Sequence, residues 1–371
     1  MSIVFTILFF CLISYSLISL WLAFGFLKTP FFSPSEKFLQ TPVSIIICAR
    51  NEEKNIIKCL KSILNQNYVL GRVQLILIND ASGDATVQLA ERVLKGSGLD
   101  YRIVSNPHQK GKKQSISYAM QFVKNELVIL RDADTFTQSK EWLQSISNFY
   151  KEQNCDLIIA PVSITNNSGM LWAIQAIENN VLVLLACGSS YFQKPFLCNG
   201  ANLIFTKTMF HKVNGYSSHL HEQSGDDIFF LEDVKKSPGS KIVYLKSKDA
   251  IVYTYPAYSF KQLLLQKIRW ASKFKSNTNP LNFFLAAFSF LVNAGWLFTF
   301  GYSFIHPYNS KPALCFLLLK LTIDILLLFL ASRFIKNKVL LGFSLPAACV
   351  YPIYVCMIAL ASFFIKPKWK V

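Results

Sequence analysis

The sequence lacks the patterns by which cysteine and histidine usually bind metals or build a disulfide framework. Its nine cysteines form no C-x-x-C pair. The four histidines of the middle region, His108, His211, His219 and His221, have no partner at metal-like spacing. A zinc site and a disulfide scaffold are therefore not indicated, and the free thiols fit a reducing compartment.

Acidic residues are scarce. The chain carries 38 Lys and Arg against 21 Asp and Glu, which gives a formal net charge of +17. No zinc-finger spacing, RNA-binding aromatic motif or long basic block is present, so no nucleic-acid partner is expected. Basic residues cluster beside apolar segments, as in Lys267, Arg269, Lys273 and Lys275. This placement indicates attraction to an anionic membrane surface, with a smaller share for a diphosphate ligand.

Charge is missing altogether from Ile3 to Leu27. This run has no basic leader or small-residue cleavage site, so it predicts a transmembrane helix and not a cleaved signal. Three further apolar segments follow the middle of the chain and are long enough to span a membrane. They are Leu281 to Ile305, Pro312 to Phe334 and Leu340 to Ile365.

Polar residues interrupt two apolar stretches. Lys320 and Asp324 stand four residues apart on one helical face, so they can pair. A functional role for this pair and a purely structural one both stay open, with the structural one favoured. Met170 to Ala186 is apolar, but Glu178 interrupts it at the centre, where charge is costly in a membrane. We expect a helix of the soluble domain here.

The charge-bearing middle alternates short apolar runs with helical patterns. The predicted strands are Val43 to Ala49, Val73 to Ile78, Tyr101 to Val104 and Leu127 to Leu130. The predicted helices are Glu53 to Asn65, Ala85 to Leu94 and Lys113 to Val123. Unbroken strands alternating with helices predict an α/β domain with a mostly parallel, Rossmann-like sheet covered on both faces. Ligands of such sheets bind at the carboxyl ends of the strands.

Polar segments follow the predicted strands at those ends. They are Ala49-Arg50-Asn51-Glu52-Glu53, Asn79-Asp80-Ala81-Ser82-Gly83-Asp84 and Arg131-Asp132-Ala133-Asp134. Taken singly, each is typical of a turn, because Asp, Asn, Ser and Gly dominate turns. Two carboxylates two residues apart at a strand end can, however, reach one hard cation, which can bridge the phosphates of a nucleotide.

The order of these segments resembles the family 2 glycosyltransferases, whose catalytic domain has the nucleotide-binding GT-A fold. The resemblance covers roughly residues 42 to 275. Beyond the strand-end segments, it includes Gly111-Lys112, Gly225-Asp226-Asp227 and Gln266-Lys267-Ile268-Arg269-Trp270. The last of these is similar to the Q-x-x-R-W signature of membrane-bound members such as cellulose, chitin and hyaluronan synthases.

The resemblance implies a donor site. Glu52 and Asp80 would hold the base and ribose of a nucleotide sugar, a UDP-sugar by expectation. Lys112 would contact its diphosphate. Asp134 would ligate Mn²⁺ or Mg²⁺, with Asp132 nearer the ribose or the metal.

The resemblance also implies a base and an acceptor site. Asp227 would deprotonate the acceptor, with Asp226 in place of the usual glutamate. Arg269 and Trp270 would contact the diphosphate and the acceptor, and Gln266 would also face the acceptor.

The sequence departs from the family pattern at two points and leaves two alternatives. Asn79 replaces an aspartate, and Asp226 replaces a glutamate. A literal Glu232-Asp233 lies nearby, but it follows by more than one helical turn and precedes two lysines, so Asp227 is the predicted base and Asp226 is the main alternative. Asn199 to Asn202 resembles a loop near the transferred sugar, although a plain turn before a strand fits equally.

The predicted architecture has four parts. Residues 1–27 form a transmembrane helix, 28–257 the GT-A domain, 258–280 an amphipathic interfacial helix, and 281–371 three further spans. The expected reaction is inverting transfer of a hexosyl or N-acetylhexosaminyl group to a lipid or growing glycan. Single transfer and polymerisation stay open, and a catalytically silent membrane scaffold is the alternative from another class.

The expected location is the cell membrane, with the catalytic domain in the cytoplasm. Four spans put the carboxyl terminus outside, although Lys366, Lys368 and Lys370 there conflict with the positive-inside rule. Pro346 and Pro352 offer an alternative, in which the last segment is a re-entrant hairpin that returns the tail to the cytoplasm.

Overall fold

A computed structural model describes residues 2–34, 40–106, 110–220, 225–276, 280–307, 311–335 and 337–365. The chain divides into two compact units. The sheet unit comprises Lys28–Thr165 and Ser189–Tyr255. The apolar unit comprises Met1–Leu27, Asn166–Gly188 and Pro256–Val371.

The sheet unit is built on a seven-stranded sheet in the order β3-β2-β1-β4-β8-β6-β9. Its strands are β1 (Val43–Ala49), β2 (Val73–Asp80), β3 (Asp100–Asn106), β4 (Leu127–Asp132), β6 (Leu157–Ile159), β8 (Leu203–Thr206) and β9 (Ile242–Tyr244). Strands β1 to β4 run parallel, whereas β8 pairs antiparallel with both β4 and β6. The predicted α/β fold with a mostly parallel sheet is confirmed.

Apolar strands explain why the sheet lies at the centre of its unit. Ile45, Ile47, Leu75 and Ile129 are fully buried against helices. Each such side chain contributes about 1.5–3 kcal/mol by leaving water. The helices are α2 (Ile56–Leu64), α3 (Thr86–Leu94), α4 (Lys112–Ala119), α5 (Trp142–Gln153), α7 (Lys207–Lys212) and α8 (Asp226–Lys236).

A second, three-stranded sheet follows the D-x-D segment. It consists of β5 (Thr135–Thr137), β10 (Val252–Thr254) and β7 (Val162–Ile164) in the order β5-β10-β7. Because β5 begins one residue after Asp134, the turn between β4 and β5 is held by a sheet at each end.

The apolar unit consists of long helices. They are α1 (Ser2–Lys28), α6 (Met170–Tyr191, whose last residues belong to the sheet unit), α9 (Phe260–Ser276), α10 (Pro280–Ile305), α11 (Lys311–Ile335) and α12 (Ser344–Phe364). Within the described residues, five helices (all of these except α9) are long and apolar enough to span a membrane. Helix α12 continues through Pro352, so the hairpin alternative is not formed.

Helix α6 differs from its prediction, because residues 166–188 group with the apolar unit. It is also long and apolar enough to cross a membrane. Strand β4 precedes α6 in the chain and β8 follows it, and these two strands pair with each other. The chain therefore reaches α6 from one sheet and returns to the same sheet after it. A single crossing would put strands of one sheet on opposite sides of a membrane. In its most apolar window 56% of α6 is buried, against 11–33% in the other four helices, so its apolar surface serves packing.

The predicted pairing of Lys320 with Asp324 is confirmed. Lys320 Nζ lies 2.6 Å from Asp324 Oδ2, and the Tyr15 hydroxyl of α1 donates to Asp324 Oδ1 at 2.6 Å. The pair therefore joins α11 to α1 by satisfied polar contacts, as expected for ionic groups among apolar helices.

Some predictions fall outside the described residues. The basic tail with Lys366, Lys368 and Lys370 lies there, as do His108 and His221.

We predict that α1, α10, α11 and α12 each cross the membrane with the sheet unit in the cytoplasm, so that both chain ends face away from the cytoplasm. A reporter active only in the cytoplasm should be inactive when fused after Val371. The matched control is a fusion truncated after Ile335, at the end of α11, which should be active. Activity of the full-length fusion would show that α12 does not cross.

Candidate active site

The carboxyl ends of the central strands bring the predicted site residues together. Cys48 of β1 is paired in register with Asp132 of β4, and Ala49 is paired with Asn79 of β2. The segments that follow these strands therefore leave the sheet at one edge. This is the edge at which open α/β sheets bind ligands.

Two strand-end loops, residues 50–53 and 79–86, are clamped to each other. The Glu52 backbone N–H donates to Thr86 Oγ1 at 2.8 Å, and that of Glu53 donates to Asp84 Oδ2 at 3.0 Å. Partial burial would raise the pKa of Asp84, but hydrogen bonds from Thr86 and from the Glu53 backbone lower it from its ordinary value. The carboxylate is therefore ionised, and the clamp formed, at neutral pH.

Asp80 is buried and has a visible role in the fold. Its Oδ1 accepts from the Lys110 backbone N–H at 2.9 Å, and its Oδ2 accepts from that of Gly111 at 3.0 Å. Asp80 thus fixes the segment that leads into α4 and presents Lys112. The donor contacts predicted for Asp80 and Glu52 stay predictions. In the structure Glu52 Oε2 accepts a hydrogen bond from the Asn55 side chain at 2.8 Å.

Lys112 is the centre of the site. Its Nζ lies 2.7 Å from Asp132 Oδ1 and 2.8 Å from Asp226 Oδ2, and its side chain is only 15% exposed. Burial by itself would lower the pKa of this ammonium group, but the Asp132 and Asp226 carboxylates raise it well above its ordinary value. Lys112 is therefore a permanent positive charge at the sheet edge.

The D-x-D carboxylates fit a hard divalent cation. Asp132 retains 35% exposure, and Asp134 is partly exposed at the same turn. Among the described residues, no three His, Cys, Asp or Glu side chains converge on one point.

Helix α8 begins at the two remaining acids. Gly225 precedes it with φ of 85°, in the left-handed region, and Asp226 and Asp227 occupy its first turn. Asp227 Oδ1 accepts from the Ile228 backbone N–H at 2.9 Å. The free N–H groups and dipole of a helix start stabilise ionised carboxylates. Asp233, in contrast, contacts His219 Nε2 at 3.2 Å and forms an ion pair with Lys236 at 3.7 Å.

The loop Asn199 to Asn202 belongs to the site. A Cβ at Gly200 would lie 2.9 Å from Asp226 Oδ2, 3.1 Å from Lys112 Nζ and 3.5 Å from Asp227 Cβ. The interpretation as a turn before a strand is confirmed, and a place near the transferred sugar stays a prediction. The loop is a turn before β8, and it packs directly against the charged groups.

The Q-x-x-R-W residues lie on helix α9 of the apolar unit. Gln266, Arg269 and Trp270 are all partly buried. Lys267, between them, pairs with Glu178 of α6 at 2.5 Å and lies 4.2 Å above the Trp270 ring. The roles predicted for Gln266, Arg269 and Trp270 stay predictions.

Two contacts of the site escaped sequence reasoning. Asp226 was assigned the place of a family glutamate and was the alternative base, whereas the structure makes it an ion-pair partner of Lys112. Gly200 was treated as one member of a small-residue loop. Neither contact has a local signal, because Asp226 stands 114 positions after Lys112, and Gly200 stands 88 positions after Lys112 and 26 before Asp226. The presence of an acid before Asp227 was the only available hint.

Comparison with known proteins shows which family part of the chain is similar to. Residues 44–213 match glycosyl transferase family 2. An uncharacterized glycosyltransferase of Haemophilus influenzae is 25% identical over 191 residues, which are 48% of this chain and 53% of that protein. A beta-monoglucosyldiacylglycerol synthase of Nostoc is 30% identical over 112 residues, 30% of this chain and 24% of that protein. The chain thus matches about half of the first relative and a quarter of the second.

A solved structure covers nearly the whole chain. The mannosyltransferase PcManGT from Pyrobaculum calidifontis, in complex with GDP-Man and Mn²⁺, superposes with a TM-score of 0.60 at 16% identity. The match covers 95% of this chain and 98% of that one. The fold is therefore that of the GT-A glycosyltransferases. Residues 44–213 form a family 2 glycosyltransferase domain.

The close packing of Gly200 generates a prediction. Gly200→Ala should displace the Lys112 ammonium, and a misplacement of about 1 Å can lower turnover on the order of 10²-fold. Release of nucleoside diphosphate from a nucleotide sugar measures this. Gly71→Ala is the matched control, because nothing lies within 4 Å of a Cβ there. Equal turnover in both variants would show that the Gly200 contact is unimportant.

Proposed function

We propose that this protein transfers a sugar from a nucleotide sugar, a UDP-sugar by preference, to the hydroxyl of a membrane lipid, with inversion. The observation that carries the proposal is the Lys112 bridge between Asp132 and Asp226 at the sheet edge. The Lys112 ammonium group suits the diphosphate of a nucleotide sugar, and the neighbouring carboxylates suit its divalent cation. The family match supports the reaction class.

The donor would be held through its charge. Lys112 would contact the diphosphate as a point charge, and Asp132 and Asp134 would hold Mn²⁺ or Mg²⁺. When bound, such a cation stabilises the negative charge of the leaving diphosphate. The GDP-Man and Mn²⁺ in the PcManGT complex support a divalent cation.

Asp227 would act as the general base. It would take the proton of the acceptor hydroxyl as that oxygen forms a bond to the anomeric carbon. The bond from the anomeric carbon to the phosphate oxygen breaks with its electron pair, so the nucleoside diphosphate leaves. Attack in line on an α-linked donor gives a β-glycoside. Lys112 adds a fixed positive charge to the leaving side.

A lipid acceptor fits the chain better than a polymer. Five described helices could span a membrane, and one of them, α6, lies in the chain between β4 and β8, which pair in one sheet. Four crossings leave few helices to surround a polymer channel. The glycolipid synthase relative supports a lipid hydroxyl. The proposed location is the cell membrane with the sheet unit in the cytoplasm, where nucleotide sugars are made.

The overall proposal is tested with detergent-solubilised protein, a panel of radiolabelled nucleotide sugars and a membrane lipid extract. The expected product is a lipid carrying a single labelled sugar. A ladder of longer products would identify a polymerising enzyme. Binding without any turnover would identify a silent scaffold instead.

Metal dependence is the first specific prediction of this function. Chelation with EDTA should abolish transfer, and added Mn²⁺ or Mg²⁺ should restore it. Asp134→Asn should remove most activity while leaving thermal unfolding unchanged. Asp100→Asn, on a half-exposed surface residue paired with Lys124, is the control and should be silent. Full turnover in excess chelator would remove the metal from the mechanism.

The second specific prediction of this function concerns the identity of the general base. Asp227→Asn should lower turnover by about 10²- to 10⁴-fold, the usual contribution of a general base, while donor binding is retained. Asp233→Asn in the same helix is the matched comparison and should be nearly silent in turnover. Normal turnover in Asp227→Asn together with loss in Asp233→Asn would overturn the assignment.

A further inference from the structure

Strand β4 carries a positive charge into the core of the sheet unit. Arg131, directly before Asp132, is only 1% exposed. It forms no ion pair with any carboxylate that the structure describes, and its Nη1 has no hydrogen-bond partner. Burial lowers the pKa of this guanidinium from its ordinary value, but arginine stays charged in proteins. A buried, uncompensated charge destabilises a fold, so this residue needs another explanation.

The contacts of Arg131 are neutral. Its Nη2 donates to Ser62 Oγ at 2.7 Å, and its Nε donates to Thr135 Oγ1 at 3.3 Å. The guanidinium also lies 4.8 Å from the centre of the Trp142 ring. These contacts orient the side chain without neutralising it.

Two of these contacts lead to the active site. The Thr135 hydroxyl donates onward to the Asp132 backbone carbonyl at 2.7 Å, which closes the Asp132–Asp134 turn. Trp142 Nε1 donates to Asn202 Oδ1 at 3.3 Å, at the end of the loop that holds Gly200. Arg131 therefore contacts Thr135, which closes the Asp132–Asp134 turn, and Trp142, which holds the loop containing Gly200.

The Cys59 thiol packs on the same turn, with its Sγ 3.7 Å from the Asp132 carbonyl oxygen.

We propose that Arg131 is a positioning residue for the cation and diphosphate site, holding the Asp132–Asp134 turn from the core side through Thr135. This inference rests on the proposed function. It accounts for a buried charge that the catalytic steps themselves do not use.

The test measures binding and stability separately. Arg131→Met should weaken the binding of Mn²⁺ with UDP or GDP, followed by calorimetry, by about tenfold, a typical loss when a support of a metal ligand is removed. Thermal unfolding should be unchanged or shifted upward, because methionine fills the site without a charge. Arg131→Lys should give an intermediate affinity.

Two further variants keep the test decisive. Thr135→Val keeps the Arg131 guanidinium but removes the hydroxyl that links it to the Asp132 carbonyl. It should therefore also weaken the binding of Mn²⁺ and nucleotide. Lys246→Met removes another buried cation, one that contacts Thr29 and Phe31, and should leave this binding unchanged.

If Arg131→Met binds Mn²⁺ with UDP or GDP as tightly as the wild type, this inference is overturned and the proposed function is not. If Arg131→Met does not fold, the same result in Thr135→Val overturns the inference. So does a loss of stability and affinity in Arg131→Met with Thr135→Val unaffected, which would assign Arg131 to core packing. Wild-type protein that binds neither UDP nor GDP with Mn²⁺ overturns the proposed function, and this inference with it.

Discussion

The salt bridges of Lys112 join three parts of the sheet unit that are far apart in sequence. The ammonium group begins α4, Asp132 ends β4 and Asp226 begins α8. Each carboxylate in this partly buried place would be costly without a cation, and the lysine would be costly without them. The arrangement of the site edge therefore depends on charge balance more than on apolar contact.

The surrounding loops are fixed by hydrogen bonds and not by packing. The clamp between residues 50–53 and 79–86 uses side chains on one loop to satisfy backbone groups on the other. Asn51 and Ala81 adopt left-handed backbone conformations with φ of 51° and 57°, which such bonds must hold in place. A rigid edge of this kind presents its polar groups without further ordering when a ligand arrives.

Local patterns in the sequence predicted the strands and the chemistry at their ends. Val43–Ala49 was found because an unbroken apolar run of that length suits a buried parallel strand. The pairing of Lys320 with Asp324 was found because helical neighbours stand four apart. Helix α6 was harder, since composition does not distinguish a helix surrounded by protein from one surrounded by lipid.

Tertiary contacts account for what the sequence could not provide. Nothing beside Arg131 in the sequence shows that its side chain points into the core, because burial there depends on α2 and α5 covering the sheet. The partnership of Lys112 with Asp226 likewise depends on the meeting of two distant helix starts. Residue types at a site are thus readable from sequence, whereas their partners require the fold.

The position of β8 has a consequence for synthesis of the chain. Strand β8 lies between β4 and β6, yet it is translated after both and after the apolar helix α6. Until it emerges from the ribosome, both earlier strands expose an unpaired edge, the feature most prone to aggregation. At a translation rate of about 5–20 residues per second, the time between synthesis of β4 or β6 and synthesis of β8 is several seconds. The nascent protein therefore completes its central sheet only after the apolar helix α6 has left the ribosome.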